Sequence, residues 1–312
     1  MIPQALVSEK SAERKITLFA KTNIQFIDLD IIVDDELYNQ TNPYLKSSYR
    51  IRDEEKYTCH LVKKISGSLY KDLVTGEEIS NVLSKSYSNE DALALFENLW
   101  FPLPILKKCG VDNFIKQPIA WARGYLSDIT EKEVEGTLKL SDGSRRYRLV
   151  IAFDTSVSDD SQDKIDDQLI SREDLNNDEL YGLCGSAGSY SSLEKFILDP
   201  RIRQWLFGIY VEKKKAEDPD KNLEKIQCEA ENSAAFIALY VNLVSLIAEQ
   251  NIVPDVSVKP VLSNDSAKKS CIPVQLVLDI GNSRTCGVLI EDNKLENKDF
   301  LGLRNLNNPI HI

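Results

Sequence analysis

Apolar and polar residues alternate in short runs through the first half of the chain, a pattern typical of β-strands with one buried face. Residues 24–33 show it, with Ile24, Phe26 and Ile31 among the apolar positions. Further runs, the last two joined by a Ser-Asp-Gly-Ser turn that suits a hairpin, lie at residues 121–129, 135–140 and 145–154. We therefore predict mostly antiparallel strands here.

Apolar residues recur at helical spacing in three later stretches. Residues 88–100 open with Ser88 in a capping-box pattern. Residues 191–215 and 222–250 follow, the first interrupted before Pro200, where a new helix can begin. The pattern predicts helices packed on the strands, so the fold class is α+β.

The same changes of pattern predict five segments. They are a β-rich region at 1–155, an acidic loop at 156–181, a helical region packed on it at 182–250, a Pro-rich linker at 251–273 and a last segment at 274–312.

Composition narrows the classes of function. The chain has 312 residues, 42% of them hydrophobic and 28% charged, which is ordinary for a globular protein of about two domains. Its net charge of −11 disfavours a nucleic-acid surface, because binding a phosphate backbone needs an excess of Lys and Arg. The expected partner is a protein whose identity the composition leaves unknown.

Cysteine usage and hydropathy bear on location. The six cysteines are far apart, contain no CxxC pair and are interpreted as reduced thiols, mostly in the core. Residues 1–15 lack the apolar core of a signal peptide, and the apolar stretch at 233–248 is short for a bilayer. We expect a cytoplasmic protein without a membrane span.

Four polar groups are given structural interpretations. The acidic group at 28–36 lacks the Gly and distal Glu of a calcium loop and is interpreted as a solvated face. The arginines at 145–148 are interpreted as the wet face of a strand. His60 has no Ser or carboxylate at a recognisable spacing, so an exposed or core-satisfied His is favoured. The glycines at 182–188 indicate a turn, since no Lys follows them.

The stretch at 274–290 carries the main functional signal. A nearly unbroken apolar run ends at Asp279, and a second begins at Thr285, which predicts a buried β-hairpin. Gly281 lets backbone approach a ligand, and the amides of residues 281–285 are suited to converge on phosphate. Asp279 would repel bare phosphate but would hold Mg²⁺, directly or through water. A metal nucleotide is the expected ligand.

These residues resemble the first phosphate motif of the actin, Hsp70 and sugar-kinase superfamily, whose nucleotide domain is ribonuclease H-like. The resemblance implies that Asp279 acts on Mg²⁺. It also implies that the turn faces the β and γ phosphates of ATP through Gly281, Asn282, Ser283, Arg284 and Thr285.

Two positions depart from that superfamily pattern. Asn282 replaces a hydroxyl residue of Hsp70-like proteins, and Cys286 replaces the Lys of actin and of type III pantothenate kinases. Phosphate charge would then be met by the metal, the amides or Arg284, so ATP binding is expected more firmly than hydrolysis. The alternative is an ordinary tight hairpin whose acid merely caps a strand.

Three short motifs together resemble the virulence factor SrfB family of bacteria. They are Ile-Gln-Phe-Ile-Asp at 24–28, Ala-Phe-Asp-Thr at 152–155 and Leu-Asp-Ile-Gly-Asn-Ser-Arg-Thr-Cys-Gly at 278–287. This resemblance implies a large protein from virulence-associated contexts, with an actin or Hsp70-like region downstream and no established activity.

The preferred function is an accessory or interaction module that leads into an ATP-binding domain, whose start lies at 274–312. On this view the chain is the front part of a longer protein. It is expected to bind ATP poorly and to be inactive alone, while ATPase activity is possible in the full-length protein. The alternatives are a non-enzymatic protein with a remnant phosphate hairpin and, third, a small-molecule kinase.

Overall fold

The computed structural model describes residues 15–20, 24–80, 85–110, 112–131, 143–157, 169–176, 179–260, 274–280, 285–291 and 298–301. The chain divides into two compact units. One is Lys10–Lys259, and the other combines Met1–Glu9 with Pro260–Ile312.

The described residues form a mixed α+β fold with seven helices and mostly antiparallel sheets, which confirms that part of the predicted fold class. The helices are α1 Asp35–Asn39, α2 Asn89–Phe96, α3 Arg172–Asn176, α4 Tyr190–Ile197, α5 Pro200–Glu217, α6 Leu223–Ser233 and α7 Ala235–Glu249. The strands are β1 Lys15–Phe19, β2 Ile24–Val33, β3 Thr41–Ile51, β4 Glu54–Ser66, β5 Leu69–Asp72, β6 Glu78–Ser80, β7 Lys85–Ser88, β8 Trp100–Pro102, β9 Ile105–Lys108, β10 Phe114–Ile115, β11 Ala122–Asp128, β12 Arg145–Asp154, β13 Leu180–Leu183, β14 Asp255–Lys259, β15 Val274–Ile280, β16 Thr285–Glu291 and β17 Lys298–Leu301.

Four sheets organise these strands. Within the larger unit they run β1-β14-β13-β9-β10, β2-β12-β11-β8 and β6-β5-β4-β3-β7, and within the smaller unit β15-β16-β17. The pairing of β1 with β14 is parallel. Residues 255–259, which the sequence placed in a Pro-rich linker, therefore form a strand beside the beginning of the chain.

Strand β2 of the β2-β12-β11-β8 sheet shows the predicted alternation most clearly. Ten residue pairs join β2 to β12, from Ile24 opposite Asp154 to Val33 opposite Arg145. On β2 the inward positions such as Ile31 are buried, whereas the alternate positions are exposed. One sheet face thus belongs to the core, as expected for a half-buried antiparallel sheet.

Helix α7 forms the centre of the larger unit. Thirteen consecutive residues, from Ala235 to Ile247, are buried. Tyr240 packs edge-on against Phe96 of α2, with ring centroids 5.8 Å apart. Taken singly, none of the helices in the described residues is long and apolar enough to cross a bilayer. Only α6 and α7 together, bent by 61° at their junction, pass that test of length and composition.

Helix α2 begins as predicted and ends early. Ser88 and Asp91 form the capping box. The sequence pattern extends the helix to residue 100, but it stops at Phe96, and Asn98 takes a positive φ of 61°. That left-handed residue turns the chain so that Trp100 can start β8.

The four cysteines whose burial the structure describes divide into two classes. Cys59 and Cys184 are buried, and burial raises the pKa of each thiol to about 12. Cys109 and Cys228 are exposed, so the expectation of core thiols holds for two of these four cysteines. Exposed positions were not distinguishable in sequence because Cys behaves as a small apolar residue.

Candidate functional site

Both strands of the hairpin predicted at 274–290 are present in the smaller unit. Strand β15 pairs antiparallel with β16, with Asp279 opposite Cys286 and Ile280 opposite Thr285. The strands are therefore joined through residues 281–284. Asp279 lies one residue pair before the end of the ladder, and Thr285 is the first residue of β16.

A third strand continues this arrangement. β17 pairs antiparallel with β16, with Val288 opposite Phe300 and Leu289 opposite Asp299. The three strands form a meander in which each strand neighbours the next one along the chain.

The turn itself lies outside the described residues. The predicted phosphate contacts at 281–284 belong to Gly281, Asn282, Ser283 and Arg284. The Mg²⁺ role of Asp279 and the phosphate role of Thr285 likewise stay predictions. The described strands position the two ends of this candidate site and bring Asp279 within one residue pair of Thr285.

A second polar cluster lies in the larger unit around His60 on β4. The Oγ of Ser47 on β3 lies 2.7 Å from His60 Nε2. Glu194 of α4 places its Oε1 3.2 Å from His60 Nδ1, although the alignment is not that of a hydrogen bond. Burial raises the pKa of the Glu194 carboxyl, and the neighbouring His60 opposes that shift.

This cluster shares one feature with hydrolytic triads, the order hydroxyl, imidazole and carboxylate. A small cavity of about 10 Å³, room for about one water molecule, lies beside it, lined by His60, Glu194, Thr58 and Tyr190 among others. Ser47 is not among the lining residues, so the hydroxyl does not face that cavity. We interpret the cluster as a polar contact that ties α4 to the β3-β4 pair.

Sequence reasoning missed this cluster because its partners are distant. Ser47 is 13 residues from His60 and reaches it through the antiparallel register, in which Ser47 lies opposite Thr58. Glu194 comes from a helix far along the chain. The period-two pattern of β3 and β4 is the one signal that could have suggested the contact between Ser47 and His60.

The glycine-rich segment before α4 contacts an acidic side chain of the same chain, Asp112. Ser186 Oγ donates to Asp112 Oδ1 over 3.3 Å. A Cβ added at Gly188 would stand 2.8 Å from the carboxyl carbon of Asp112. A phosphate here would meet that negative charge, which supports the interpretation of this segment as a turn.

The arginines of β12 do not form the solvent-exposed strand face that the sequence predicted. Arg148 donates through Nε to Asp28 Oδ1 at 2.8 Å, and Arg146 pairs with Asp30. Their side chains are only 10% and 12% exposed. Two aspartates of the acidic group at 28–36 are thus paired with largely buried arginines on the adjacent strand. In the part of the chain that the structure describes, no group of three or more His, Cys, Asp or Glu could hold a metal ion.

Comparison with protein families decides the broad assignment. Residues 6–312 match the family described as Virulence factor SrfB. The chain belongs to the SrfB family. Neither the curated proteins nor the solved structures contain a match. Membership associates the chain with virulence at the level of the family description, and it covers both compact units.

Proposed function

We propose that this SrfB-family chain is an accessory or interaction module leading into an ATP-binding domain, whose first hairpin is β15–β16. The observation that carries the proposal is the register of that hairpin. It puts Asp279 one residue pair before the Gly281-containing connection.

The chemistry of the proposed site follows from its residue types. The carboxylate of Asp279 holds Mg²⁺ directly or through a water molecule, because hard cations take oxygen ligands. The amides of Gly281 to Thr285 and the hydroxyls of Ser283 and Thr285 receive the β and γ phosphates of ATP. Arg284 would contribute positive charge, and Mg²⁺ held by Asp279 would offset the charge of the phosphates.

The three-stranded meander supports a ribonuclease H-like assignment of this domain. The proposed domain would begin with a hairpin and a third strand, and β15, β16 and β17 follow one another in that order. The remaining walls of the nucleotide cleft would come from further parts of the full-length protein. ATPase activity is therefore proposed for that protein, and the protein partner of the module is unidentified.

The proposal is tested by nucleotide binding to the full-length protein with a fluorescent ATP analogue, with and without Mg²⁺. We expect Asp279→Asn to weaken Mg²⁺-dependent binding at least tenfold, on the order of 1.4 kcal/mol. Asp299→Asn, a control acid in the same sheet on β17, should leave it unchanged. Unaltered affinity in Asp279→Asn, with native circular dichroism, would contradict the proposal.

One observation favours the second candidate, a non-enzymatic module with a remnant hairpin. The residue opposite Asp279 is Cys286, the position that departs from the Lys of actin and the type III pantothenate kinases. Without that cation the hairpin has less charge to stabilise a transferring phosphoryl group. A full-length protein that shows neither Mg²⁺-dependent ATP binding nor ATP turnover would favour this candidate over an ATPase and over a small-molecule kinase.

A further inference from the structure

A largely buried polar cluster joins helix α4 to strand β4, and its groups can take up protons. The side chains of His60 and Glu194 are only 11% and 23% exposed, with Nδ1 of the imidazole 3.2 Å from Oε1 of the acid. The same imidazole reaches Ser47 Oγ through Nε2 at 2.7 Å. In the part of the chain that the structure describes, His60 Nδ1 is buried without an aligned hydrogen bond. The strength of the contact between the two side chains therefore depends on their protonation.

A second acid lies close to this pair. Asp72 of β5 acts on Glu194 through its charge and is 3% exposed. Its Oδ1 accepts hydrogen bonds from the amides of Val74 and Thr75 at 2.7 and 3.0 Å. The nearby cation Lys195 of α4 is exposed. Two carboxyl groups and one imidazole thus share a largely buried region, where burial favours the neutral form of a carboxyl.

The small cavity beside the pair offers little water to solvate a charge. It has room for about one water molecule, and α7 contributes only the apolar side chain of Val241 to its lining. Cys59 and Tyr190 also line it. Burial raises the pKa of the Cys59 thiol to about 12 and also raises the pKa of the Tyr190 phenol, so neither group titrates between about pH 4 and about pH 8. Changes of charge in this range therefore belong to the acids and the imidazole.

We propose that the contact between His60 and Glu194 is pH-sensitive, holding α4 against β4 when the pair takes up a proton and loosening when that proton is lost. With the proton bound, the pair is an imidazolium beside a carboxylate or an imidazole beside a carboxylic acid, and the two groups attract each other in both forms. Without it, a neutral imidazole and a carboxylate remain near a second buried acid. The proposal does not depend on the nucleotide site.

The direction of the pH effect follows from the environment of Glu194. Burial raises the pKa of its carboxyl, His60 opposes that rise, Asp72 adds to it and Lys195 opposes it, and the net result is a raised pKa. The folded contact thus binds a proton more readily than the opened helix does. Its stabilising effect is fully present below the ordinary carboxyl value of about 4.3 and is lost as the pH rises through the raised folded pKa.

Apolar packing confines this effect to local opening of α4. The side chains of Leu193, Phe196 and Ile197 are at most 2% exposed. The Tyr190 hydroxyl lies 3.1 Å from Ser245 Oγ on α7. Because these contacts do not change their charge in the same pH range, we expect α4 to remain folded at neutral pH but to open more often than in mild acid.

Hydrogen–deuterium exchange of the full-length protein, followed by mass spectrometry on peptides from α4, tests the proposal. Each exchange rate is divided by the intrinsic rate at the same pH, so that the remaining change measures opening of the helix. Between about pH 4.5 and about pH 8, we expect the protection of α4 to fall about threefold or more as the pH rises. Protection that stays constant or increases over this range would overturn the proposal.

Two acid variants assign the change to the pair. Glu194→Gln cannot ionise, so its α4 protection should vary by less than about twofold over the same range. Glu212→Gln is the matched control, an exposed acid on α5, and should keep the fall seen in wild type. A Glu194→Gln variant with native circular dichroism and an unchanged fall would overturn the proposal.

A third variant, His60→Gln, separates proton sharing from a merely structural contact. It removes the imidazole that opposes the rise in the pKa of Glu194, so the fall in α4 protection should move to higher pH. Loss of a structural contact alone would lower α4 protection by the same factor at every pH and leave the position of the fall unchanged. That result would also overturn the proposal.

Discussion

Asn242 is a polar side chain in the most apolar helix of the protein, and it is 1% exposed. Its Oδ1 accepts from Asn42 Nδ2 over 3.0 Å and from the Tyr44 hydroxyl. Its Nδ2 donates to the carbonyl of Tyr87 over 3.0 Å. Buried polar groups are tolerated when they are hydrogen-bonded, so this one residue joins α7 to β3 and β7.

We expect Asn242→Leu to lower the free energy of unfolding by about 2–4 kcal/mol, because several buried groups lose hydrogen bonds together. Urea unfolding followed by circular dichroism measures the change. Tyr240→Phe is the control on the same helix. It removes the single 2.6 Å hydrogen bond to the carbonyl of Pro102 and should cost about 1 kcal/mol. An Asn242→Leu variant as stable as the wild type would contradict the role of this network.

Individual contacts of this kind were the least predictable feature of the chain. In the sequence, Asn242 is only a polar residue within an apolar stretch. Its partners, like those of His60, lie more than ten residues away in the sequence. Side-chain pairing depends on the register between strands and on helix placement, and hydropathy periodicity records neither of them.

Helix α5 shows how a local sequence signal becomes a stabilised element. Pro200 occupies its first turn, and Asp199 caps it by accepting from the Arg201 amide over 3.0 Å. Asp199 also pairs with Lys116 at 2.9 Å. Burial raises the pKa of the Asp199 carboxyl, but its hydrogen bonds with Arg201 and Lys116 outweigh burial and hold that pKa well below its ordinary range.

Because the folded pKa of Asp199 is depressed, its ionised form stabilises the fold above the unfolded value of about 3.9. That stability is lost as the pH falls from there through the folded pKa. Asp199→Asn keeps a capping oxygen without the charge, so we expect it to be less stable than the wild type at pH 7. The difference in free energy of unfolding between the wild type and Asp199→Asn should shrink below about pH 3.9. Chemical denaturation at a series of pH values measures it.

The matched variant Asp199→Ala removes the cap as well. Its free energy of unfolding should be about 1–2 kcal/mol lower than that of Asp199→Asn, because the side-chain oxygen that caps the helix is also absent. A constant difference between wild type and Asp199→Asn across the acid range would show that the charge of Asp199 does not stabilise the helix.

Strands and helices whose apolar residues recur at a clear period were predictable, but the elements that they pair with were not. Periods of two and 3.6 residues indicated β2, β11, β12, α2, α5 and α7. The parallel pairing of β1 with β14 joins residues about 240 positions apart, for which the local sequence has no signal. The end of α2 depended on the left-handed backbone at Asn98, which is permitted to Asn but not dictated by it.

For the chain as a whole, family membership and the nucleotide proposal rest on different parts of the sequence. The SrfB match spans 6–312, whereas the proposed phosphate site depends on one hairpin of the smaller unit. The hairpin was predictable because an acid and a glycine stand between two apolar runs. The phosphate contacts were predictable only through resemblance, since a tight hairpin needs no ligand to form.

The most direct measurement is the retention of Mn²⁺, a paramagnetic substitute for Mg²⁺, by the full-length protein in the presence of ADP, followed by electron paramagnetic resonance. The account predicts about one bound Mn²⁺ per chain when ADP is present, because hard cations bridge carboxylate and phosphate oxygens. That ion should be lost in Asp279→Asn and kept in Asp299→Asn. Equal retention in wild type and Asp279→Asn, or no nucleotide-dependent retention in the wild type, would contradict a metal-nucleotide site at this hairpin.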